Sequence, residues 1–436
     1  MAKKITVSPN GDRFIDESGR AFFYLADTVW SVFTHTTEDE WIEYLEYRAA
    51  QGYNVVQINI LPQHDASGPG LGFKPFAVNA DGTYDFTSFD ETYFARVDRM
   101  LEAAVSRGFV PALVVLWCDY VPETWLSAIK TGHVMPRDAV EPYVEFVSRR
   151  FARFNPMYLV AGDTSDADLA NPASWWYYET ALKTIKTHDP SALTTVHIWG
   201  PRTLKYDLPS SFLDSELIDF FMYQSGHGFE WWSNPYELPR FFDAAKKRKP
   251  VVNGEPCYEG IGHTHGRHSA HSVRRAVWMS LLSGASAGVT YGAHGIWSWH
   301  HASAEFENWG SNHFKTPFDW RTALRFPGAW DVAYARRLFD THGLFDLSPV
   351  DDVKNETEEI RMAVGKDAFA IYTSYPSHVS VARDLTAYDC TVIDLSCTNR
   401  VHSPVMKYVS GETRIRMPEF NADALIIGFK TSAMKK

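Results

Sequence analysis

Apolar positions along this chain recur at two periods, and the periods alternate. Residues 38–51 carry Trp41, Tyr44, Leu45 and Arg48 at spacings of three and four and stop at Gly52, which predicts a helix. Residues 54–60 form a short, nearly continuous apolar run, the mark of a strand buried on both faces. The same alternation continues: helices over 94–107, 139–154, 173–188, 235–248, 269–283 and 321–341, and strands over 109–117, 157–162, 194–199, 218–224, 250–255 and 287–291. With the run 21–26 as the first, these make eight strands interleaved with helices, the order of a (β/α)8 TIM barrel. A doubly wound open sheet is the competing fold, but it normally has a Gly-rich phosphate turn after its first strand, and none stands here.

Both ends depart from that rhythm. Residues 5–7 and 13–15 flank Asn10-Gly11-Asp12, a hairpin signal ahead of the barrel. After about Gly343 only short strand-like runs remain, at 360–364, 368–373, 379–382, 391–395, 413–417 and 424–429, punctuated by turns such as Ser410-Gly411-Glu412. The expected division is a barrel with its hairpin over 1–343 and a small all-β sandwich over 344–436.

Chemistry is expected at the C-terminal ends of the barrel strands. Asp163 ends the fourth strand and Glu255 the seventh. Two carboxyl groups on opposite staves can reach the separation of roughly 5–5.5 Å that double displacement at an anomeric carbon requires. One must be protonated and the other ionised, so their surroundings must split their pKa values. Asn253, Tyr223 and His265 are the expected ionising partners of Glu255, and the negative field of Glu255 should help keep Asp163 protonated. The plain alternative for either acid is a cap on the following helix, which suits Asp163 better than Glu255.

Other strand ends supply a candidate sugar-binding ring: Asp27 and Trp30 after the first strand, and Gln57, Asn59 and His64 on or after the second. Trp117 and Asp119 follow the third, His197 and Trp199 lie on the fifth, Tyr223 and Gln224 end the sixth, and Tyr291, His294 and Trp297 follow the eighth. Polar groups inside a barrel are costly unless hydrogen-bonded, so this many facing its mouth favour a polar ligand. The bland reading is that half of them pack or support. The segment from Gly226 to Trp232 reads either as a lid with aromatic platforms or as a packed rim loop. His263-Thr264-His265-Gly266-Arg267-His268 and His300-His301 look like metal clusters but lack Cys or Asp partners at fixed spacing, so neither metal nor cofactor is expected.

Composition narrows the classes further. Over 436 residues the hydrophobic fraction is 45% and the charged fraction 22%, values of an ordinary globular chain, while 15% aromatic residues would suit sugar faces as well as a core. A net charge of -11 argues against nucleic acid. No run reaches the ~18 apolar residues of a membrane helix, and no export signal follows Ala2-Lys3-Lys4. A cytoplasmic protein is therefore expected, a processed or truncated secreted form being the alternative, with Cys118, Cys257, Cys390 and Cys397 as free thiols. The oligomeric state is left open. No GxSxG elbow at the end of a strand, Walker loop or GxGxxG after a strand stands here, which weakens serine-hydrolase and nucleotide readings.

The stretches Phe23-Tyr24-Leu25-Ala26-Asp27-Thr28-Val29-Trp30 and Tyr47-Arg48-Ala49-Ala50-Gln51-Gly52-Tyr53-Asn54-Val55-Val56-Gln57 resemble the opening of the apiosidase-like glycoside hydrolases. Gly162-Asp163 is similar to that family's acid/base motif and Asn253-Gly254-Glu255-Pro256 to its nucleophile motif. The resemblance runs from residue 20 to about 430. It implies a (β/α)8 barrel with a C-terminal β-sandwich and a retaining, exo-acting glycosidase whose founding activity releases apiose from pectic side chains. Many relatives are exported and this chain shows no signal, which favours small glycosides or oligosaccharides over polymeric pectin. A catalytically inactive sugar-binding barrel and a metal-dependent hydrolase are the alternatives.

Overall fold

The computed structural model describes residues 2–130, 132–200, 207–263, 266–306, 314–398 and 400–431. Eight parallel staves form the barrel: β1 (Tyr24–Thr28), β2 (Val55–Asn59), β3 (Val110–Trp117), β4 (Met157–Gly162), β5 (Thr194–Thr195 and His197–Ile198), β6 (Phe221–Gln224), β7 (Val251–Glu255) and β8 (Gly288–Tyr291). Stave β5 comes in two pieces because the chain changes partner at Val196: Thr194 and Thr195 pair with β4, whereas His197 and Ile198 pair with β6. Pairing of Gly288 with Tyr24 through Tyr291 with Asp27 joins β8 to β1. Gly288 is required there, since its φ is +150° and a Cβ would lie 2.1 Å from the Tyr24 carbonyl oxygen.

The principal helices are α1 (Glu38–Gln51), α2 (Glu91–Ser106), α3 (Arg137–Phe151), α4 (Pro172–His188), α5 (Ala270–Leu281) and α6 (Gly328–His342). Helix α1 ends at Gly52, as the sequence predicts, with that glycine in the left-handed conformation, and it begins with a reciprocal Thr37–Glu40 capping box. Two expectations fail at prolines. Residues 235–248 do not form one helix but a single turn, Asn234–Glu237, followed by 3-10 structure over Leu238–Ala244. Pro239 has no N–H for the α-helical ladder there. The last helix is split into Trp320–Ala323 and Gly328–His342, with Pro327 at the break. The run 21–26 is likewise divided, Ala21–Phe22 joining the N-terminal antiparallel sheet and only Tyr24–Thr28 entering the barrel. A short antiparallel ribbon, Phe76–Val78 with Tyr84–Phe89, was not foreseen.

After Gly343 the chain forms two antiparallel sheets. One face of the larger sheet contributes Ile360, Met362, Phe369 and Ile371 to a core shared with Val379, Val381 and Ile415 of the smaller. Its other face turns Ala363, Ala370, Tyr372 and Ile427 into the barrel's own hydrophobic core. Period-2 alternation thus gives one strand two cores, and the β region is fused to the barrel flank. Cys118, Cys257 and Cys390 are buried free thiols.

Asp27 shows how firmly the first stave is held. Its carboxylate accepts from Arg48 Nε at 2.5 Å and from the Tyr44 hydroxyl at 2.8 Å, and both members of the ion pair are fully buried. Asp27 thus clamps β1 to α1, which corrects its expected place in the sugar ring. Exchange of Asp27 for Asn leaves the Arg48 charge without its counterion, and urea unfolding should show a loss of about 3–5 kcal/mol. A loss under about 1 kcal/mol would show that the guanidinium finds other partners.

Candidate active site

Glu255 reaches the barrel mouth through a bulge. Tyr223 pairs with Asn253 and Gln224 with Glu255, so Gly254 is the extra residue in β7. A Cβ at Gly254 would lie 2.5 Å from Met222 Sδ and 3.2 Å from the His197 ring, which explains the glycine. The shifted register sets Gln224 opposite Glu255, and its amide donates to Glu255 Oε1 at 2.7 Å.

Two histidines complete the cradle. Burial pushes His197 and His227 down to about 3, so both rings are neutral near pH 7. His227 Nδ1 accepts from the Tyr258 backbone N–H at 3.3 Å, which leaves its proton on Nε2, 2.8 Å from Glu255 Oε1. His197 Nδ1 accepts from the Asp163 N–H at 3.3 Å, so its Nε2–H faces Glu255 Oε2 at 3.4 Å, outside good hydrogen-bond alignment. The tautomers follow from these partners.

Asp163 stands just beyond β4 with a φ of +52°, a left-handed conformation that Asp tolerates better than most residues. Its carbonyl accepts from the Trp125 indole at 2.8 Å, and Trp125 stacks on Trp199 with ring centroids 5.2 Å apart. Gly162 before it lets the Trp117 ring lie flat on β4, where a Cβ would come within 2.3 Å. Trp30 meets Trp117 edge-on at 5.0 Å and donates its indole N–H to the Tyr258 hydroxyl at 3.2 Å. Ligand atoms of Asp163, His197 and Glu255 all lie within 4.8 Å of one another. Asp163 Oδ1, Glu255 Oε2 and His197 Nε2 are buried without hydrogen-bond partners.

The two acids differ electrostatically. Burial raises both carboxyls, but bonds from Tyr258 and Gln224 work against it at Glu255. At Asp163 no such bond acts and the charge of Glu255 adds to the upward push, while the charge of Asp65 raises both acids. Asp163 therefore holds its proton more tightly, although its side chain is 17% exposed and open to proton exchange.

Of the remaining sequence candidates, Trp30, Trp117, His197 and Gln224 surround the acids. Trp297 lies beside them, its ring 6.4 Å from Tyr258, and His294 supports it, accepting from the Trp297 indole at 3.3 Å. Others are committed elsewhere. Gln57 accepts from Tyr24 and Thr290 and donates to the Gly254 carbonyl at 3.0 Å, sealing the barrel beneath the site. Tyr223 donates to the Pro235 carbonyl, and Tyr291 to Glu259, both away from the mouth. Asn253 holds Ser225 and Ser280 with its amide N–H groups and accepts from the Glu255 N–H, so neither it nor Tyr223 touches the Glu255 carboxylate. Asn59 pins Gln63 and the Leu61 N–H, Asp119 pairs with His133 at 3.0 Å, and His64 lies 6.1 Å from the Trp117 ring. His265 falls outside the described residues. His227, Tyr258 and Trp125 were missed as site residues. The signal for the first two was available, each standing three residues beyond a strand-end candidate, Gln224 or Glu255.

A family model described as the apiosidase-like catalytic domain matches residues 8–346. The chain belongs to the apiosidase-like glycoside hydrolases. Among solved structures, a protein titled glycoside hydrolase is 23% identical, with a TM-score of 0.79 over 98% of this chain and 97% of its own. A glycoside hydrolase family 5 protein from Bacteroides vulgatus is 22% identical, with a TM-score of 0.78 over 98% and 93%. Both likenesses concern the fold. No curated protein matches the chain by sequence.

Within this apiosidase-like site, replacing Gln224 by Leu removes an N–H that favours ionised Glu255. That carboxyl would then ionise at higher pH, and the acid limb of kcat/KM should move up by about one pH unit. An unmoved limb would mean that Gln224 does not tune the carboxylate.

Proposed function

We propose that this chain is a retaining, exo-acting glycosidase that releases a terminal sugar, apiose or a related pentose or furanose, from small glycosides or oligosaccharides. The observation that carries the reading is the closeness of the acids, with carboxyl oxygens of Asp163 and Glu255 within 4.8 Å. Such a gap suits direct attack by one carboxylate and leaves too little room for the water that inversion requires. Enclosure supports the exo mode: Trp117, His197 and Tyr258 are buried around Glu255, as in a pocket for one ring rather than an open groove.

In the first step Asp163 donates its proton to the glycosidic oxygen as Glu255 attacks the anomeric carbon. The C–O bond to the aglycone breaks and a glycosyl ester forms. Asp163, now ionised, takes a proton from water, the hydroxide oxygen attacks the same carbon, and Glu255 leaves as a carboxylate. Neutral His227 and Gln224 fit this cycle, since they donate to Glu255 in its charged state without adding a competing proton source.

One arrangement favours a second reading. Asp163, His197 and Glu255 could together hold a divalent cation. The His197 tautomer opposes it, because the ring proton occupies the nitrogen that would have to ligate.

Glu255→Gln should lower kcat by at least about a thousandfold. Asp163→Ala should spare aryl glycosides with good leaving groups more than alkyl ones, because only the latter need the proton. A mechanism-based fluorosugar should leave its adduct on Glu255. Turnover of Glu255→Gln within tenfold of the parent, or full loss of activity on chelation, would overturn the reading.

A further inference from the structure

The loop that carries His227 is tied to the C-terminal β region by a short chain of polar contacts. Helix α5 directly follows the loop after β7 and presents two adjacent buried arginines to the β region. Arg274 pairs with Asp423 at 2.7 Å and with Asp331 at 2.8 Å, linking α5 to the β region and to α6. Arg275 has a different reach. Its Nε donates to Glu359 Oε2 at 2.6 Å, its Nη1 donates to the Trp232 carbonyl at 2.8 Å, and its guanidinium lies 4.0 Å from the Trp232 ring centroid.

Trp232 ends the same loop that begins with His227. Between them, Phe229 stacks on His268 with centroids 4.3 Å apart, and His268 Nε2 lies 2.6 Å from the His227 carbonyl oxygen. The Trp231 ring covers Gly226, where a Cβ would approach within 2.6 Å. The loop is thus clamped at both ends, by His268 near His227 and by Arg275 at Trp232. Glu359 is fixed in turn by the Ser374 hydroxyl and by Arg275.

We propose that Glu359 is a positioning residue for catalysis: through Arg275 and Trp232, the β region sets the loop that aims His227 Nε2–H at Glu255. The C-terminal region then acts as part of the active-site scaffold rather than as an independent sugar-binding module. The inference rests on the reading of Glu255 as nucleophile. It follows from the shape of the guanidinium, whose fork grips the carboxylate with one edge while another N–H holds the loop carbonyl. Lysine could keep the ion pair but could not supply that geometry.

The two arginine pairs provide their own control. Glu359→Gln and Asp423→Asn both weaken docking of the β region to α5, but only Glu359 connects to the His227 loop. Glu359→Gln should lower kcat tenfold or more with KM changed less than threefold. It should also shift the acid limb of kcat/KM upward, because Glu255 loses a well-placed donor. Asp423→Asn should keep kcat within twofold, whatever its Tm. Should Glu359→Gln fail to fold, Arg275→Lys replaces it, with the same kinetic signature expected. A folded Glu359→Gln or Arg275→Lys enzyme with kcat within twofold would overturn the proposal. So would equal losses in Glu359→Gln and Asp423→Asn, which would point to docking alone. An inactive Glu255→Gln beside an unimpaired Glu359→Gln would sink the coupling and leave the nucleophile standing.

Discussion

In the proposed reaction Glu255 has to be charged to attack carbon and is buried away from water, and those demands conflict. An unpaired carboxylate in such a place would simply take up a proton. Neutral donors ease the conflict without abolishing the upward push of burial: the Gln224 amide and the Nε2–H of His227 both point at Oε1. A buried arginine would hold the charge more strongly, but it would also oppose transfer of that negative charge to a sugar in the transition state. Neutral donors favour the ionised form while leaving it reactive.

Much of the surrounding architecture serves to hold those donors in place. The Gly254 bulge brings Gln224 into register with the carboxylate. Gln57, inside the barrel, grips the Gly254 carbonyl and so supports the bulge from below. On the opposite stave the Trp117 ring covers Gly162, and the left-handed turn at Asp163 directs the second acid inward. His197 links the halves, since one ring nitrogen receives the Asp163 N–H and the other faces Glu255.

The alternation of periods made the barrel legible from sequence, because each stave is buried on both faces and each long helix has an apolar stripe. The two acids were legible for the same reason, as charged residues closing apolar runs. What escaped depended on side-chain direction. Asp27 and Tyr291 end adjacent staves and looked like mouth residues, yet both turn outward against helix-side partners, Arg48 and Glu259. A strand points successive side chains to opposite faces, so a shift of one position separates a ligand contact from a structural one. The bulge at Gly254 breaks that count and could not be seen from pattern alone. His227 and Tyr258 lie in loops, where no period applies.

The fate of the β region's strands bears on how this family uses its second domain. A free carbohydrate-binding module would keep its broad sheet face polar and open. Here Ala363, Ala370, Tyr372 and Ile427 are packed into the barrel core, and Glu359 and Asp423 are spent on buried arginines. Buried ion pairs are expensive to assemble and contribute little net stability compared with apolar packing, so their value lies in fixing one arrangement. Arg275 fixes the arrangement that includes Trp232, a residue of the loop that carries His227. Evolution of that loop and of the turn carrying Glu359, just ahead of the strand Ile360–Val364, would therefore be constrained together, even though the two lie far apart in sequence and only the loop reaches Glu255.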